Sequence, residues 1–415
     1  MKETVLKEIA EEFGTPSYVF DLDVLSARVQ RMQEILGENV RIIYAMKANP
    51  FLVQAMGELA AGYEVCSPGE FAICEREQVD MQRIVLSGVN KEKQDIEYVM
   101  DECGGVGMYT VESLNQFRLL NACASARKQR IRVLLRLTSG NQFGMNEETI
   151  EQLIQNRADY EYIDFRGIQC YTGTQKKKLD HIAKEVDMLD AFCDRLFKEY
   201  GYRAEELEYG PGLPISYFQP EAENNGYEML QEFAAKLAPL REKYKVSLEM
   251  GRYIAATCGM FLTRIADMKV NHNQKYCIVD GGINHVNYYG QTMAMKLPKY
   301  DFIAMPDNTG YAEAASELTA SVREAAAGMQ NWNICGSLCT VGDVLIKNLP
   351  LENASLGDLL VLYNIGAYSV TEGIYLFLSR NLPNIITYRE AEGAVLLRGQ
   401  NPTYTINSRM PELYA

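Results

Sequence analysis

The 415-residue chain carries 55 acidic against 41 basic side chains, and a formal net charge of −14 argues against nucleic acid or an anionic membrane as its main partner. Its 47% hydrophobic fraction supports a sizeable core, and its length suits an α/β barrel plus a second domain better than one ordinary compact domain. No apolar run approaches the ~20 residues of a membrane span, and the charged, amphipathic amino terminus lacks a signal-peptide core. Ten cysteines without CxxC pairing are expected to be free thiols of a reducing cytoplasm. The three histidines (His181, His272, His285) have no metal-ligand spacing, so no metal site is expected.

After a short first helix, residues 15–21 read as an extended segment and Leu22–Leu36 as an amphipathic helix. Apolar strand segments then alternate with helical patterns. The strands fall at Arg41–Met46, Tyr63–Cys66, Arg83–Leu86, Val106–Tyr109, Ile131–Leu137, Ile163–Tyr171, Leu207–Tyr209 and Val246–Met250. Eight strand–helix units over about 210 residues have the count and length of a (β/α)8 TIM barrel. An open doubly wound sheet has the same rhythm. Closure separates the two, because it alone makes the first strand a neighbour of the eighth and brings Lys47 to Glu249. Beyond about residue 261, short β segments at Lys275–Asp280, Phe302–Met305, Trp332–Cys335, Leu359–Tyr363, Ile385–Tyr388 and Ala394–Arg398 are separated by turn residues. They predict a mostly antiparallel β domain, which the early Tyr18–Phe20 strand could join. The expected division is residues 24–260 for the barrel, with 1–23 and 261–415 for the β domain.

The stretch Arg41–Pro50 ends an apolar strand in a single lysine, Lys47, at the carboxyl end where α/β enzymes keep their chemistry. Partial desolvation there is expected to pull the ammonium toward a nucleophilic amine. A surface lysine that happens to follow a strand has the same local signature. Two further stretches decide between them. Gly210–Pro211–Gly212 ends the seventh strand, and Glu249–Met250–Gly251–Arg252 ends the eighth, the loops at which TIM barrels hold phosphate. Arg252 adds a guanidinium for the same phosphate. A lysine and a phosphate site in one barrel suit a phosphorylated, aldehyde-bearing cofactor, pyridoxal phosphate, with Lys47 as its Schiff-base lysine. Glu249 is placed to meet the ring nitrogen of such a cofactor.

These residues belong to an ordered series: Tyr44–Ala45–Met46–Lys47–Ala48–Asn49, Glu64–Glu70, Tyr171–Thr172–Gly173–Thr174–Gln175, Gly210–Pro211–Gly212, Glu249–Arg252, Gly336–Thr340 with Asp343, and Gly366–Ala367–Tyr368. With them the chain resembles the fold-type III pyridoxal phosphate decarboxylases, the group containing the diaminopimelate, ornithine and arginine decarboxylases. The resemblance implies Lys47 as the cofactor lysine and Glu249 on the pyridinium nitrogen. It implies Gly210, Gly212, Gly251, Arg252 and Tyr368 around the phosphate, and Glu64, Arg136 and Tyr171 as further cofactor-side residues. It also implies a homodimer with shared active sites, in which Cys339 crosses the subunit interface to protonate the carbanion left by carbon dioxide. The residues alone favour a buried structural thiol at Cys339; the resemblance turns the reading toward the acid.

The departures from that family bear on cofactor and substrate. Tyr171 stands where most members have a histidine, and Pro211 removes one N–H from the glycine loop. Met250 replaces the usual proline. Thr340 replaces the glutamate or aspartate that reads the far amino group of a diamino acid, leaving Asp343 as the remaining acid nearby. Tyr171–Gln175, Gln142–Met145 and Leu338–Thr340 resemble the subset containing the glutamyl-carrier-protein decarboxylase of the butirosin pathway. That resemblance implies an amino acid substrate tethered to an acyl carrier protein, for which Lys176–Lys177–Lys178 offers a basic docking patch or merely a solvated helix start. Free meso-diaminopimelate, ornithine or lysine is the alternative substrate. A non-catalytic cofactor-binding relative remains a further reading; a racemase is disfavoured by Glu249.

Overall fold

The computed structural model describes residues 1–221, 226–305 and 318–409, together with Tyr311, Ala314 and Ser316. Strand β1 (Ser17–Asp21) is followed by eight parallel strands that close on themselves: β2 (Val40–Ala45), β3 (Gly62–Val65), β4 (Ile84–Leu86), β5 (Met108–Val111), β6 (Ile131–Arg136), β7 (Ile163–Tyr171), β8 (Glu206–Gly210) and β9 (Lys245–Met250). Their apolar, β-branched runs suit strands buried on both faces, and all eight expected barrel strands are present within a few residues. Closure is explicit. Strand β2 pairs with β9 from Val40↔Val246 to Tyr44↔Met250, and with β3 from Ile43↔Gly62 to Ala45↔Glu64. The open-sheet alternative is therefore excluded.

Side-chain oxygens cap the helices that return the chain. Ser67 accepts from Glu70 N ahead of α3 (Pro68–Arg76), and Ser113 from Gln116 N ahead of the helix Leu114–Arg127. Inside the barrel, Ile43, Val85, Met108 and Leu134 pack as an apolar cluster. Glu64 on β3, two residues beyond the Ile43 partner Gly62, and Glu249 on β9, the partner of Ile43 itself, are polar residues near the carboxyl ends of their strands.

The β domain is built on β10 (Gly259–Asn271), which pairs with β1, with β11 (Gln274–Val279) and with β15 (Leu359–Tyr363). The remaining strands are β12 (Tyr300–Ile303), β13 (Met329–Cys335), β14 (Val344–Glu352), β16 (Asn384–Arg389) and β17 (Gly393–Arg398). Among the described residues every pairing is antiparallel except β1–β16 and β11–β13. Leu6 and Ile9 of the first helix close over Val19, Leu262, Val361 and Ile386.

Two of these strands are absent from the sequence reading. β10 begins as seven consecutive buried residues with no period-2 signal, and β14 contains Asn348 and Pro350, which read as a turn. Pro350 is tolerated because β14 is an edge strand paired only with β13. The chain forms two compact units, Ser26–Ile215 with Asn225–Ile254, and Met1–Leu25 with Ser216–Asn224 and Ala255–Ala415. The segment from Ser216 departs from the expected 24–260 division because Gln219 N donates to Leu297 O (2.8 Å) and Phe218 bridges to Pro298.

Trp332, the chain's only tryptophan, is fully buried in β13, and its Nε1 has no hydrogen-bond partner. Trp332→Ala is expected to cost about 3–5 kcal/mol through the cavity it leaves. Trp332→Phe, which removes the orphaned N–H and keeps most of the volume, is expected to cost less than about 1.5 kcal/mol. Urea denaturation followed by circular dichroism measures both; equal costs would contradict this account.

Candidate active site

Lys47 lies in the single 3-10 turn Met46–Ala48 that ends β2. The turn is pinned by the Tyr44 hydroxyl donating to Asn49 O (2.8 Å) and by the Asn49 side chain accepting from Phe51 N (3.1 Å). Its Nζ donates to both oxygens of Glu64, at 2.9 and 2.6 Å, and lies 3.6 Å from Glu249 Oε1 and 3.6 Å from Cys66 Sγ. The Cys66 thiol donates to Glu64 Oε1 (3.0 Å). On the far side of Glu249, Gln169 Nε2 donates to Oε2 at 2.9 Å. Neighbouring strands thus deliver one ammonium and two carboxylates to one point, with the Lys47 side chain 38% exposed and those of Glu64 and Glu249 only 4% and 5%.

The electrostatics correct one expectation. Burial does oppose the Lys47 ammonium, but Glu64 and Glu249 outweigh it and hold the lysine well above its ordinary range. Glu64 is also penalised by burial, yet Lys47 keeps it ionised below the usual carboxylate range. Glu249 goes the other way: burial first, and the neighbouring Glu64 charge second, push it up to about 8. A third acid, Glu208 on β8, is 2% exposed, has an unpartnered Oε1, and is raised well above its normal value by burial and by Glu249. The sequence reading gave no role to Glu208, although it precedes Gly210 by two residues and so shares its face of the strand.

Arg136, at the end of β6, is buried and donates through Nη1 to Glu112 Oε1 (2.9 Å), while its Nε and Glu112 Oε2 have no partner. Gly212 adopts φ +62°, and a Cβ there would overlap the Gly173 carbonyl oxygen. At Gly251 a Cβ would lie 2.8 Å from Ala48 Cβ and 2.9 Å from Ala45 O. Buried Arg252 donates through Nε to Thr174 Oγ1 (3.3 Å), so the loops after the sixth and eighth barrel strands meet around a guanidinium. Gly210 makes room for the Tyr171 ring, whose hydroxyl is raised by burial. An amine between carboxylates, a buried acid that ionises near neutrality, and side-chain-free backbone beside an arginine together fit pyridoxal phosphate, with its aldehyde, its ring nitrogen and its phosphate.

The β domain carries the other sequence-derived residues. Cys339 and Thr340 are exposed on the loop between β13 and β14. Asp343 is buried, and its carboxylate accepts from Ile283 N (2.8 Å) and Leu338 N (2.7 Å). These bonds anchor the cysteine loop at its base. Tyr368 is held at φ +68° in a turn whose carbonyl accepts from Glu372 N (2.8 Å). Of the proposed basic patch, Lys176 is an internal residue, 11% exposed and paired with Glu185 (2.6 Å); Lys177 and Lys178 are exposed.

Residues 22–256 match the family described as pyridoxal-dependent decarboxylase, pyridoxal binding domain. The chain is 22% identical to the L-glutamyl-[BtrI acyl-carrier protein] decarboxylase of Niallia circulans, over 96% of this chain and 94% of that protein. It is 27% identical to the diaminopimelate decarboxylase of Aquifex aeolicus, over 88% and 84% respectively. The structure of a diaminopimelate decarboxylase from M. jannaschii, solved in complex with L-lysine, superposes with a TM-score of 0.81 at 22% identity, covering 98% of this chain and 95% of that one.

Glu249 yields a test of the site's electrostatics without any ligand. Its raised value means that the folded state holds a proton the unfolded chain has released, so its contribution to stability falls as pH rises toward about 8. Between pH 6.5 and 8 the cofactor-free protein is expected to lose about 1–2 kcal/mol that Glu249→Gln does not lose. Parallel pH–stability curves for the two proteins would refute this.

Proposed function

The chain belongs to the pyridoxal-dependent decarboxylases, and from that membership we propose that Lys47 is the cofactor lysine and that the reaction is α-decarboxylation of an amino acid to its amine. The observation that carries the assignment is the Lys47 amine held between Glu64 and Glu249, beside the bare backbone of Gly212 and Gly251. Lys47 enters as an ammonium, and Glu64, 2.6 Å away, holds and orients it. When bound, pyridoxal phosphate supplies the electron sink that accepts the pair left on Cα as carbon dioxide departs. Glu249, oriented by Gln169, would meet the ring nitrogen and can hold or yield a proton near neutral pH. Arg252 and the backbone of Gly212 and Gly251 would hold the phosphate, with Tyr171 on the cofactor side. Each turnover consumes one proton, which Cys339 returns to Cα from its Sγ.

Cys339 is exposed at a loop tip beside the fully exposed Val341. Arg380 Nη2 donates to Ser337 O (2.7 Å) and links this loop to a segment that exposes Ile374, Leu376, Phe377 and Leu378. An apolar patch beside an exposed thiol supports a homodimer in which each subunit lends its Cys339 to the partner's barrel. Ten cysteines outside disulfide bonds, one of them needed as a thiol, support a reducing cytoplasm.

For the substrate we favour an amino acid tethered to an acyl carrier protein. Thr340 has no charge, and Asp343 is consumed by backbone, so a distal ammonium finds no free carboxylate on this loop. A thioester needs none. The carrier-dependent relative matches over nearly its full length, and exposed Lys177 and Lys178 offer an acidic carrier a basic contact.

The purified protein is expected to absorb near the visible edge with bound cofactor, and Lys47→Ala to lose both the band and at least about a thousandfold of activity. A colourless protein that takes up no pyridoxal phosphate would sink the enzyme reading. Mixing inactive Lys47→Ala and Cys339→Ala proteins under subunit exchange is expected to restore about a quarter of wild-type activity, because half the dimers then hold one intact site; no recovery would rule out shared sites. Carbon dioxide release is expected from aminoacyl carrier protein, with a raised KM in Lys177→Glu/Lys178→Glu that depends on salt. Efficient turnover of free diaminopimelate would overturn the reading of Thr340.

A further inference from the structure

Between α3 and the next helix of the barrel unit, α4 (Lys93–Asp101), lies a cavity of about 320 Å³, within the size range of small-molecule sites. Its walls include Phe71, Leu86, Ile96 and Val99, all buried apolar side chains. Three polar residues that also line it do not belong to any catalytic role assigned above. Cys66 joins it to the centre, since the same residue approaches Lys47 Nζ at 3.6 Å.

Lys91 lines the cavity with its ammonium bonded only to neutral acceptors, Gly88 O (2.8 Å) and Gln116 Oε1 (3.3 Å). Among the described residues no carboxylate lies within 4.0 Å of it, although Glu112 and Glu64 attract it from further away. Burial accordingly brings this lysine down to about 8, the mark of a cation without a contacting counter-ion. Asp95, on the first turn of α4, lines the same cavity and likewise has no cation at ion-pairing distance among the described residues. Glu75 and Glu92 also line the cavity, but they accept from Tyr98 and from Asn90 and Gln94, which leaves half-buried Lys91 and Asp95, set among apolar walls, as the charges complementary to a ligand carrying both charges and an apolar body.

We propose that this cavity is a second small-molecule site, for an α-amino acid with an apolar side chain, distinct from the Lys47 centre. The carboxylate of the ligand meets Lys91, its ammonium meets Asp95, and its side chain packs on Phe71, Ile96 and Val99. Cys66 forms a wall common to this site and the centre.

The test is calorimetric titration of L-phenylalanine into holoenzyme treated with borohydride, which fixes the cofactor so that amino acid cannot exchange onto it. The measurement reads binding, not turnover, and therefore stands or falls separately from the decarboxylase assignment, which cofactor absorbance checks in the same preparation. One molecule per chain is expected to bind. Affinity is expected to fall at least about tenfold in Lys91→Met and in Asp95→Asn, and for 3-phenylpropionate or 2-phenylethylamine, each of which lacks one charge. Ala72→Trp, a substitution at an exposed position of α3 that fills the cavity, is expected to abolish binding without disturbing the fold. Absence of binding, or undiminished binding in Ala72→Trp or in Lys91→Met, overturns the proposal.

Discussion

The hydrogen-bonded closure of β2 onto β9 is the constraint on which the rest of the site depends. It sets Glu249 beside the end of the strand that carries Lys47, while β3 supplies Glu64 from the other side. Glu64 and Glu249 are then buried against one lysine, and Glu208 is buried within the field of both carboxylates. Three ionised carboxylates and one ammonium would be prohibitive in such an interior, so protons make up the difference, and Glu249 and Glu208 are the groups whose affinities rise. A centre organised this way is costly when empty. On the assignment proposed above, a cofactor with its ring nitrogen at Glu249 and its phosphate at Arg252 would relieve part of that cost and so stabilise the fold by binding it.

The two units divide the chemistry. In the barrel, the apolar cluster of Ile43, Val85, Met108 and Leu134 and the polar residues at the strand ends separate packing from function. In the β domain, the cysteine loop is exposed at its tip yet fixed at its base. Asp343 accepts two backbone N–H groups there, and Gly282 and Gly336 allow it to approach, since a Cβ on either would crowd its oxygens. A rigid base under an exposed thiol is what a residue needs if it acts on another chain's substrate.

Strand periodicity, end-of-strand polar residues and glycine loops made the barrel, Lys47, Glu249, Gly212 and Arg252 legible in the sequence, because each follows from strand order alone. What stayed hidden depends on partners distant in the chain. The direction of the Lys47 shift could not be read, since burial and two carboxylates act in opposite senses and only their distances decide which wins. That Asp343 also anchors backbone could not be read, since Ile283, whose N–H it accepts, lies 60 residues away. Lys176 looked like part of a surface patch, but the 22-residue helix Leu179–Tyr200 returns Glu185 to its ammonium, and Tyr209 donates to the same carboxylate. Strand β10 escaped because a fully buried strand has no alternation to show.

The same reasoning limits what the site can select. Binding a second ammonium on a substrate requires a carboxylate that is both near and uncommitted. On the cysteine loop the only nearby acid, Asp343, is committed to two backbone donors, and the residue after the cysteine is a threonine that can donate or accept but not neutralise. On the reading proposed above, a substrate with a neutral far end needs no counter-charge on this loop, whereas a diamino acid would depend on Asp343 for one.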